Sequence, residues 1–129
     1  MKLSGRSISK GTASGKLLST DVPLSFLGQI NPKTGVIIDT KHPLCGQSVA
    51  GKVLAFPYGK GSTVGSYVIY ALQKNGAAPA AFIVQQCETI VAVGAIIAGI
   101  PAVDMVDGDL PENGADVTVN GTEGFITFN

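Results

Sequence analysis

Residues 60–63, with the sequence Lys-Gly-Ser-Thr, have the clearest potential for chemistry in this chain. They follow a predicted strand over residues 52–56 and lead into a predicted helix over residues 63–74. Glycine lets the backbone turn sharply and approach a ligand closely, and Ser62 stands where a helix N-cap residue is expected. Backbone N–H groups, a hydroxyl, a lysine and the positive end of a helix dipole should therefore converge here, which suits a phosphate or a carboxylate.

Two interpretations of Ser62 are open at this point. An ordinary N-cap serine stabilises a helix by about 1 kcal/mol. A serine that acts as a general base must instead lose its proton, and its alkoxide then needs local positive potential. Lys60 and the helix N-terminus are the sources of that potential in the sequence. The Gly-Lys-Gly-Ser pattern does not match the GxxxxGK[ST] spacing of a Walker A loop, so nucleotide binding is not expected.

The composition predicts a single domain over residues 1–129. Hydrophobic residues make up 45% of the chain, which is ample for a core. Charged residues make up 14% and the formal net charge is zero, so no basic surface for nucleic acid is expected. The N-terminus has no apolar leader and no apolar run is long enough to cross a membrane, so the sequence predicts a cytoplasmic protein.

The residue types that commonly bind metals are sparse. Cys45 and Cys87 lie far apart and show none of the CxxC or Cys/His spacings of a metal site. No metal site is therefore predicted in this chain. The only histidine, His42, lies beside Pro43 in a polar segment, a setting that favours a structural or exposed role over a catalytic one.

Apolar periodicity and turn signals predict an α/β fold. The predicted elements are two short strands joined by a glycine-rich turn over residues 2–19, half of a hairpin over 31–38, a strand over 52–56, a helix over 63–74, a strand over 80–84, a helix from 87 or 88 to 98, a strand from 101 to 103, and a hairpin over 115–128. We interpret them as a compact β/β/α domain, in which a central sheet closed by hairpins carries two main helices.

The two predicted helices differ in their apolar patterns. The first has one stripe with helical spacing, formed by Val64, Tyr67, Val68, Ala71 and Leu72. The second is apolar nearly all round, which predicts burial either in the core or against a partner.

Five short segments resemble the small subunits of archaeal phosphomevalonate dehydratases, which belong to the aconitase X group. They cover roughly residues 20–105 and occur in the order found in that family. In this sequence they read Ser25-Phe26-Leu27-Gly28, Asn31-Pro32-Lys33-Thr34-Gly35-Val36-Ile37-Ile38-Asp39, His42-Pro43-Leu44-Cys45-Gly46-Gln47-Ser48, Gly59-Lys60-Gly61-Ser62 and Ala78-Pro79-Ala80-Ala81.

The resemblance implies a swivelling β/β/α domain, related to the mobile fourth domain of aconitase. It also implies a heterodimer or larger heteromer with a large subunit that carries a [4Fe-4S] cluster. The implied reaction removes water from (R)-5-phosphomevalonate to give trans-anhydromevalonate 5-phosphate, in the archaeal mevalonate pathway of isoprenoid biosynthesis. The family's catalytic serine lies in a Gly-Lys/Arg-Gly-Ser motif, which places that role on Ser62. Lys60, Gly61 and Thr63 are then expected to bind the phosphorylated hydroxy acid.

The residues are compatible with this chemistry. Dehydration of a 3-hydroxy acid needs a base for the proton next to the carboxylate and a Lewis acid for the leaving hydroxide, a role that iron can fill. Two cysteines fall short of the three or four thiolates that a cluster requires, so this chain cannot hold a cluster alone and a partner subunit must provide it.

Three alternative functions stay open. Other members of the aconitase X group dehydrate hydroxyproline, and the sequence does not decide between the two substrates. Residues 99–103, Gly-Ile-Pro-Ala-Val, and the terminal hairpin also resemble swivelling domains that carry phosphate on a histidine, although His42 lacks their Thr-x-Gly-Gly-x-x-x-His context. A non-catalytic interaction module would use the apolar helix over residues 88–98 for docking.

Overall fold

The computed structural model describes all 129 residues. Its elements in chain order are β1 (Lys2–Ser4), β2 (Arg6–Ser9), β3 (Thr12–Ser19), α1 (Phe26–Gln29), β4 (Val53–Phe56), α2 (Gly65–Lys74), β5 (Ala81–Val84), α3 (Thr89–Ala98), β6 (Ala102–Asp104), β7 (Asp116–Asn120) and β8 (Phe125–Phe128). Helix α1 is one irregular turn, because Leu27 and Gly28 depart from helical geometry. None of the helices has both the length and the apolar character needed to span a bilayer.

The eight strands form one sheet in the order β1-β8-β7-β3-β4-β5-β6-β2. Strands β3, β4, β5 and β6 run parallel, and the other neighbouring strands pair antiparallel. The long strand β3 joins the two halves, since residues 12–16 pair with β7 and residues 17–19 pair with β4.

Side-chain alternation along the parallel strands builds two separate cores. One face of the sheet buries Leu54, Phe56 and Phe82 against α2 and α3. The opposite face buries Val53 and Ile83 against the antiparallel strands β7, β8 and β1. Because successive residues of a strand point to opposite faces, each parallel strand is apolar throughout. The structure thus has a β/β/α layering, which confirms the predicted fold class.

The glycine-rich N-terminal segment forms three strands, whereas the sequence analysis predicted two. Gly5 separates β1, which pairs with β8, from β2, which pairs with β6. A Cβ atom at Gly5 would overlap the carbonyl oxygen of Asp104. Glycine is therefore required where the strand crosses from one side of the sheet to the other.

The predicted half of a hairpin over residues 31–38 forms no regular strand. Residues 31–38 form a turn with only isolated bridges, from Ile30 to Ile37 and from Val36 to Ser48. The other predicted strands and the terminal hairpin are present, with boundaries that differ by one or two residues.

The buried face of α2 differs from the predicted stripe. Val64 and Tyr67 are exposed. The residues that face the interior are Gly65, Ser66, Ile69 and Leu72. Small residues lie on this face because α3 packs closely against it, and the hydroxyl of Ser66 donates a hydrogen bond to the carbonyl oxygen of Ile90 (2.7 Å).

Helix α3 buries one face and exposes the other. Its buried residues are Val91, Gly94, Ala95 and Ala98, whereas Val93, Ile96 and Ile97 are exposed. The predicted burial of this helix in the core is confirmed for the face that contains Val91, Gly94, Ala95 and Ala98. Docking of the second face against a partner stays a prediction.

Replacing Gly94 with alanine should lower the free energy of unfolding by about 1–3 kcal/mol, the usual cost of overpacking. The added Cβ would lie 2.5 Å from Cδ1 and 3.0 Å from Cβ of Ile69. This clash should exceed the roughly 1 kcal/mol by which alanine favours a helix over glycine. Urea unfolding measures the difference. In an Ile69→Val background, which lacks Cδ1, the same replacement should be less harmful, and a Gly94→Ala chain more stable than the parent would contradict this packing.

The carboxylate of Asp104 lies buried at the carboxyl end of β6. Nε and Nη2 of Arg6 donate hydrogen bonds to its two oxygens (2.9 and 2.7 Å). The backbone N–H of Cys87 donates a third (2.8 Å). Burial alone would raise the pKa of this carboxyl, but the hydrogen bonds from Arg6 and Cys87 and the charge of Arg6 outweigh it and lower the pKa below its ordinary value.

The lowered pKa of Asp104 predicts an acid-sensitive contribution to stability. An unfolded aspartate has a pKa of about 3.9, so the stabilisation by the ionised carboxylate is complete above that pH and is lost as the pH falls through the lower native pKa. The difference in unfolding free energy between the parent and Asp104→Asn should be constant near neutrality and should narrow below about pH 4. Urea titrations at several pH values measure it. Asp116→Asn, which removes the exposed partner of Lys16, is the control and should show little difference at any pH.

Candidate functional site

Residues 57–64 form a loop, here called the reactive loop, at the carboxyl end of β4. In sheets with parallel strands, ligands bind outside the carboxyl ends of the strands. The loop connects β4 to α2 and lies beside the turn that connects β5 to α3. The sequence-predicted site residues are thus placed where this class of fold carries its chemistry.

Hydrogen bonds on two flanks fix the first half of the reactive loop. Gly59 forms a parallel bridge with Leu24: the N–H of Leu24 donates to the carbonyl of Tyr58 (3.2 Å), and the N–H of Lys60 donates to the carbonyl of Leu24 (3.1 Å). On its other flank, the N–H of Gly59 donates to Oε1 of Glu88 (3.2 Å). The loop is therefore held between the segment before α1 and the start of α3.

Gly61 makes the turn that presents Ser62. Its φ angle is +92°, in the region that favours glycine. A Cβ atom there would lie 2.7 Å from Oγ of Ser25. The predicted sharp turn at this glycine is confirmed by this geometry, and its close approach to a ligand stays a prediction.

The predicted N-cap role of Ser62 needs correction. The helix begins at Gly65, and the N-cap position is occupied by Val64, which has no side-chain cap. Oγ of Ser62 instead accepts a hydrogen bond from the N–H of Val64 (3.1 Å), and the carbonyl of Ser62 accepts from Gly65 (2.9 Å). Ser62 thus closes a turn that precedes the helix, because a turn of residues 62–65 comes before the first α-helical hydrogen bond.

Three successive N–H groups of the reactive loop are free. The N–H groups of Gly61, Ser62 and Thr63 make no hydrogen bond within the chain, and all three residues are exposed. Lys60 is also exposed and forms no ion pair, since the two ion pairs of the chain are Arg6–Asp104 and Lys16–Asp116. Consecutive free N–H groups next to a cation and a helix N-terminus can bind an anion and can stabilise a negative charge on a hydroxyl oxygen.

A cavity of about 720 Å³ opens at the same end of the sheet but does not include these groups. Its lining contains the carboxylates of Asp21 and Asp109 and no lysine or arginine, and neither Ser62 nor Lys60 lines it. Two carboxylates would repel an anionic substrate. The reactive loop is therefore the better candidate for an anion site.

His42 is buried, with 4% of its surface exposed. Its Nδ1 accepts a hydrogen bond from the N–H of Leu44 (3.1 Å), and its Nε2 is buried without a partner. A histidine that carries a phosphoryl group must reach solvent or a partner with one ring nitrogen. This burial disfavours the phosphohistidine alternative and favours a structural role.

This chain does not fit an iron–sulfur cluster or another metal. It brings no three histidine, cysteine, aspartate or glutamate side chains together in a metal-binding arrangement. Cys45 is exposed and Cys87 is half-buried, and both are free thiols. Burial, together with the nearby carboxylates of Glu88 and Asp104, raises the pKa of Cys87 to about 12.

Sequence reasoning found the reactive loop but missed the residues that hold it. Leu24 acts through its backbone, which carries no residue-specific signal. Ser25 was part of a recognised segment, but its proximity to Gly61 depends on the fold. Glu88 was placed near the start of α3, yet its contact with Gly59 spans 29 residues and no local pattern indicates it.

Known proteins share both this sequence pattern and this fold. The chain matches the sequence profile of the aconitase X swivel domain over residues 2–128. The chain belongs to the aconitase X swivel-domain family. The resemblance inferred from five short segments is thereby confirmed, and it extends over residues 2–128.

Relatives of this swivel domain include proteins of named function. It is 59% identical to the phosphomevalonate dehydratase small subunit of Thermococcus onnurineus, over 98% of this chain and 97% of that one. It resembles the crystal structure of the holo-form of Thermococcus kodakaraensis aconitase X with a TM-score of 0.96 and 52% identity, over 100% of this chain and 98% of that one. It also resembles the solution NMR structure of a UPF0107 protein, with a TM-score of 0.91, 45% identity, and coverage of 100% and 99%.

The two cysteines of the swivel domain should differ in reactivity. Because the thiolate is the nucleophile, the raised pKa of Cys87 keeps it protonated at pH 8. Iodoacetamide should then add one group to the native chain, on Cys45, and mass spectrometry locates it. A Cys45→Ser chain should stay unlabelled over the same time, and both chains should label fully in urea. Equal labelling rates at the two native thiols would contradict the burial of Cys87.

Proposed function

We propose that this chain is the small subunit of a phosphomevalonate dehydratase, a hydro-lyase that is active only with its large subunit. The Thermococcus onnurineus relative of that name supports this, because it is 59% identical and matches this chain over almost its entire length. The reaction is removal of water from (R)-5-phosphomevalonate to give trans-anhydromevalonate 5-phosphate, a step of the archaeal mevalonate pathway.

The observation that carries the proposal is the environment of the Ser62 hydroxyl. Ser62 is exposed, its hydroxyl accepts an N–H from Val64, and the three free N–H groups of residues 61–63 and the exposed Lys60 are its neighbours in the loop. A hydrogen bond donated to the ionised form of a group lowers its pKa, and so does a nearby positive charge. The same contact that closes the turn before α2 therefore favours the alkoxide of Ser62.

Ser62 acts in this scheme as the general base. Its alkoxide takes the proton from the carbon next to the substrate carboxylate, and the electron pair of that C–H bond forms the new double bond as hydroxide leaves. Lys60 and the free N–H groups of Gly61 and Thr63 bind an anionic group of the substrate and stabilise the negative charge on Ser62. A phosphorylated hydroxy acid has two such anionic groups, a phosphate and a carboxylate.

The large subunit supplies what this chain lacks. We assign the [4Fe-4S] cluster to it, because the residues of this chain do not fit a metal. Loss of the hydroxyl group depends on that subunit, so the active site forms only when the reactive loop faces it. The free thiols of Cys45 and Cys87 suit a reducing compartment, so we place the complex in the cytoplasm.

Replacing Ser62 with alanine should reduce kcat of the reconstituted complex by roughly 10²-fold or more, the effect of losing a general base. Stability should fall by only about 1 kcal/mol, because one turn-closing hydrogen bond is lost. Steady-state kinetics with phosphomevalonate and thermal unfolding measure the two effects. The matched control is Ser14→Ala, which removes an exposed serine on β3 and should leave kcat unchanged.

Lys60→Ala should separate the two roles of the lysine. A rise in KM alone indicates that Lys60 binds the substrate anion, and a fall in kcat indicates that it stabilises the alkoxide.

A Ser62→Ala complex that assembles with its cluster intact and keeps a near-normal kcat would show that Ser62 only closes a turn.

A further inference from the structure

The carboxylate of Glu88 joins the reactive loop to α3. Oε2 accepts a hydrogen bond from the N–H of Ile90 (2.8 Å), and Oε1 accepts from the N–H of Val91 (3.2 Å). These two bonds cap α3. Oε1 also accepts from the N–H of Gly59 (3.2 Å), which belongs to the reactive loop and not to the helix.

We propose that Glu88 is a positioning residue for the reaction, because it holds the reactive loop against the first turn of α3. The inference rests on the proposed role of Ser62 as the general base. Glu88 does not touch the reacting atoms in this scheme. It acts through the backbone of Gly59, three residues before Ser62.

At Gly59 the reactive loop packs directly against α3, with no space between them. A Cβ atom at Gly59 would lie 2.5 Å from Cγ2 of Val91 and 2.7 Å from Oε1 of Glu88. The contact is therefore close packing as well as a hydrogen bond. On the opposite flank, the bridge to Leu24 prevents the loop from moving away.

The length of the Glu88 side chain distinguishes this role from simple capping. Asparagine, aspartate, serine and threonine are the preferred N-cap residues, and their short side chains already reach the first free N–H groups of a helix. Here the longer glutamate reaches both the helix N–H groups and the loop. A residue selected only to cap α3 would not need the extra methylene.

Between Gly59 and Ser62 lie only Lys60 and Gly61. Lys60 is fixed through its N–H, which donates to the carbonyl of Leu24 (3.1 Å). Gly61 then makes its left-handed turn against Ser25. With this short connection, a shift of Gly59 moves the Ser62 hydroxyl, and a misplacement of about 1 Å is enough to lower a rate by roughly 10²-fold.

Two substitutions at Glu88 separate positioning from capping. Glu88→Asp keeps a good N-cap but shortens the side chain, so it should release Gly59 and leave α3 stable. Glu88→Gln keeps the length and one acceptor oxygen, so it should keep the bond to Gly59 while weakening the cap at Ile90. We expect Glu88→Asp to lower kcat of the reconstituted complex by about 10-fold or more with little change in KM or melting temperature. Glu88→Gln should lower the melting temperature and keep most of kcat.

The double variant Ser62→Ala/Glu88→Asp tests whether Glu88 acts through Ser62. If it does, Glu88→Asp should have no further effect on kcat once Ser62 is replaced. An independent readout is the ¹H–¹⁵N spectrum of the 129-residue chain, in which Glu88→Asp should shift the amide signal of Gly59 and those of residues 60–63 while the signals of α3 beyond its first turn stay in place. This spectrum does not depend on the identity of the base, so it distinguishes failure of the Glu88 inference from failure of the Ser62 proposal.

The inference is overturned if Glu88→Asp leaves kcat and the loop amide signals unchanged. It is also overturned if kcat in the two Glu88 variants falls in proportion to their melting temperatures, because that pattern indicates capping alone. A further loss of kcat from Glu88→Asp in the Ser62→Ala background would show that Glu88 does not act through Ser62.

Discussion

Carboxylates that accept backbone N–H groups hold together the carboxyl end of the parallel sheet. Asp104 accepts hydrogen bonds from Arg6 and from the N–H of Cys87. Glu88, which follows Cys87, accepts from two N–H groups of α3 and from one of the reactive loop. A buried carboxylate is costly unless it is fully hydrogen-bonded. Asp104 is satisfied by the side chain of Arg6 and the N–H of Cys87, and Glu88 accepts three backbone N–H groups. Each carboxylate therefore fixes the path of the chain where strands β4, β5 and β6 end.

This arrangement links the shape of the reactive loop to the stability of the fold through a short series of contacts. The edge strand β2 contributes Arg6, which neutralises Asp104, and Asp104 orients the turn that presents Glu88. The reactive loop then rests on Glu88. Residues 60–64 of this loop are exposed and three of its N–H groups are free, so it has little intrinsic stability and depends on these contacts for its shape. The loop can be open and polar because its support lies in the neighbouring elements.

Local patterns were sufficient to predict much of the fold and the position of the site. Gly99 has a left-handed φ of 70° and ends α3, as its place after an apolar helix indicates. The hairpin predicted over residues 115–128 is present as β7 and β8. The Lys-Gly-Ser-Thr segment was found in the same way, from glycine next to a helix start. Its order of residues is enough to predict a turn with free N–H groups.

Other features depend on contacts between distant residues and have no local signal. The buried face of α2 was mispredicted because Gly94 lets α3 approach closely, so small residues such as Gly65 and Ser66 are buried and Tyr67 is not. The Arg6–Asp104 pair spans 98 residues, and nothing in either neighbourhood indicates it. Hydrophobic periodicity reports the average burial of a helix face and carries no information on which neighbour approaches most closely.

The split of the N-terminal segment at Gly5 has a consequence for how the chain folds during synthesis. Residues 2–4 pair with β8, and residues 6–9 pair with β6, so β1 and β2 find their partners only after more than 90 further residues have been made. Pairings between distant residues make folding slow. When both partners are in place, β1 and β2 lie at opposite edges of the sheet order, and each is only three or four residues long. Short edge strands give another chain little to pair with, so the late step that completes the sheet also protects the protein from aggregation.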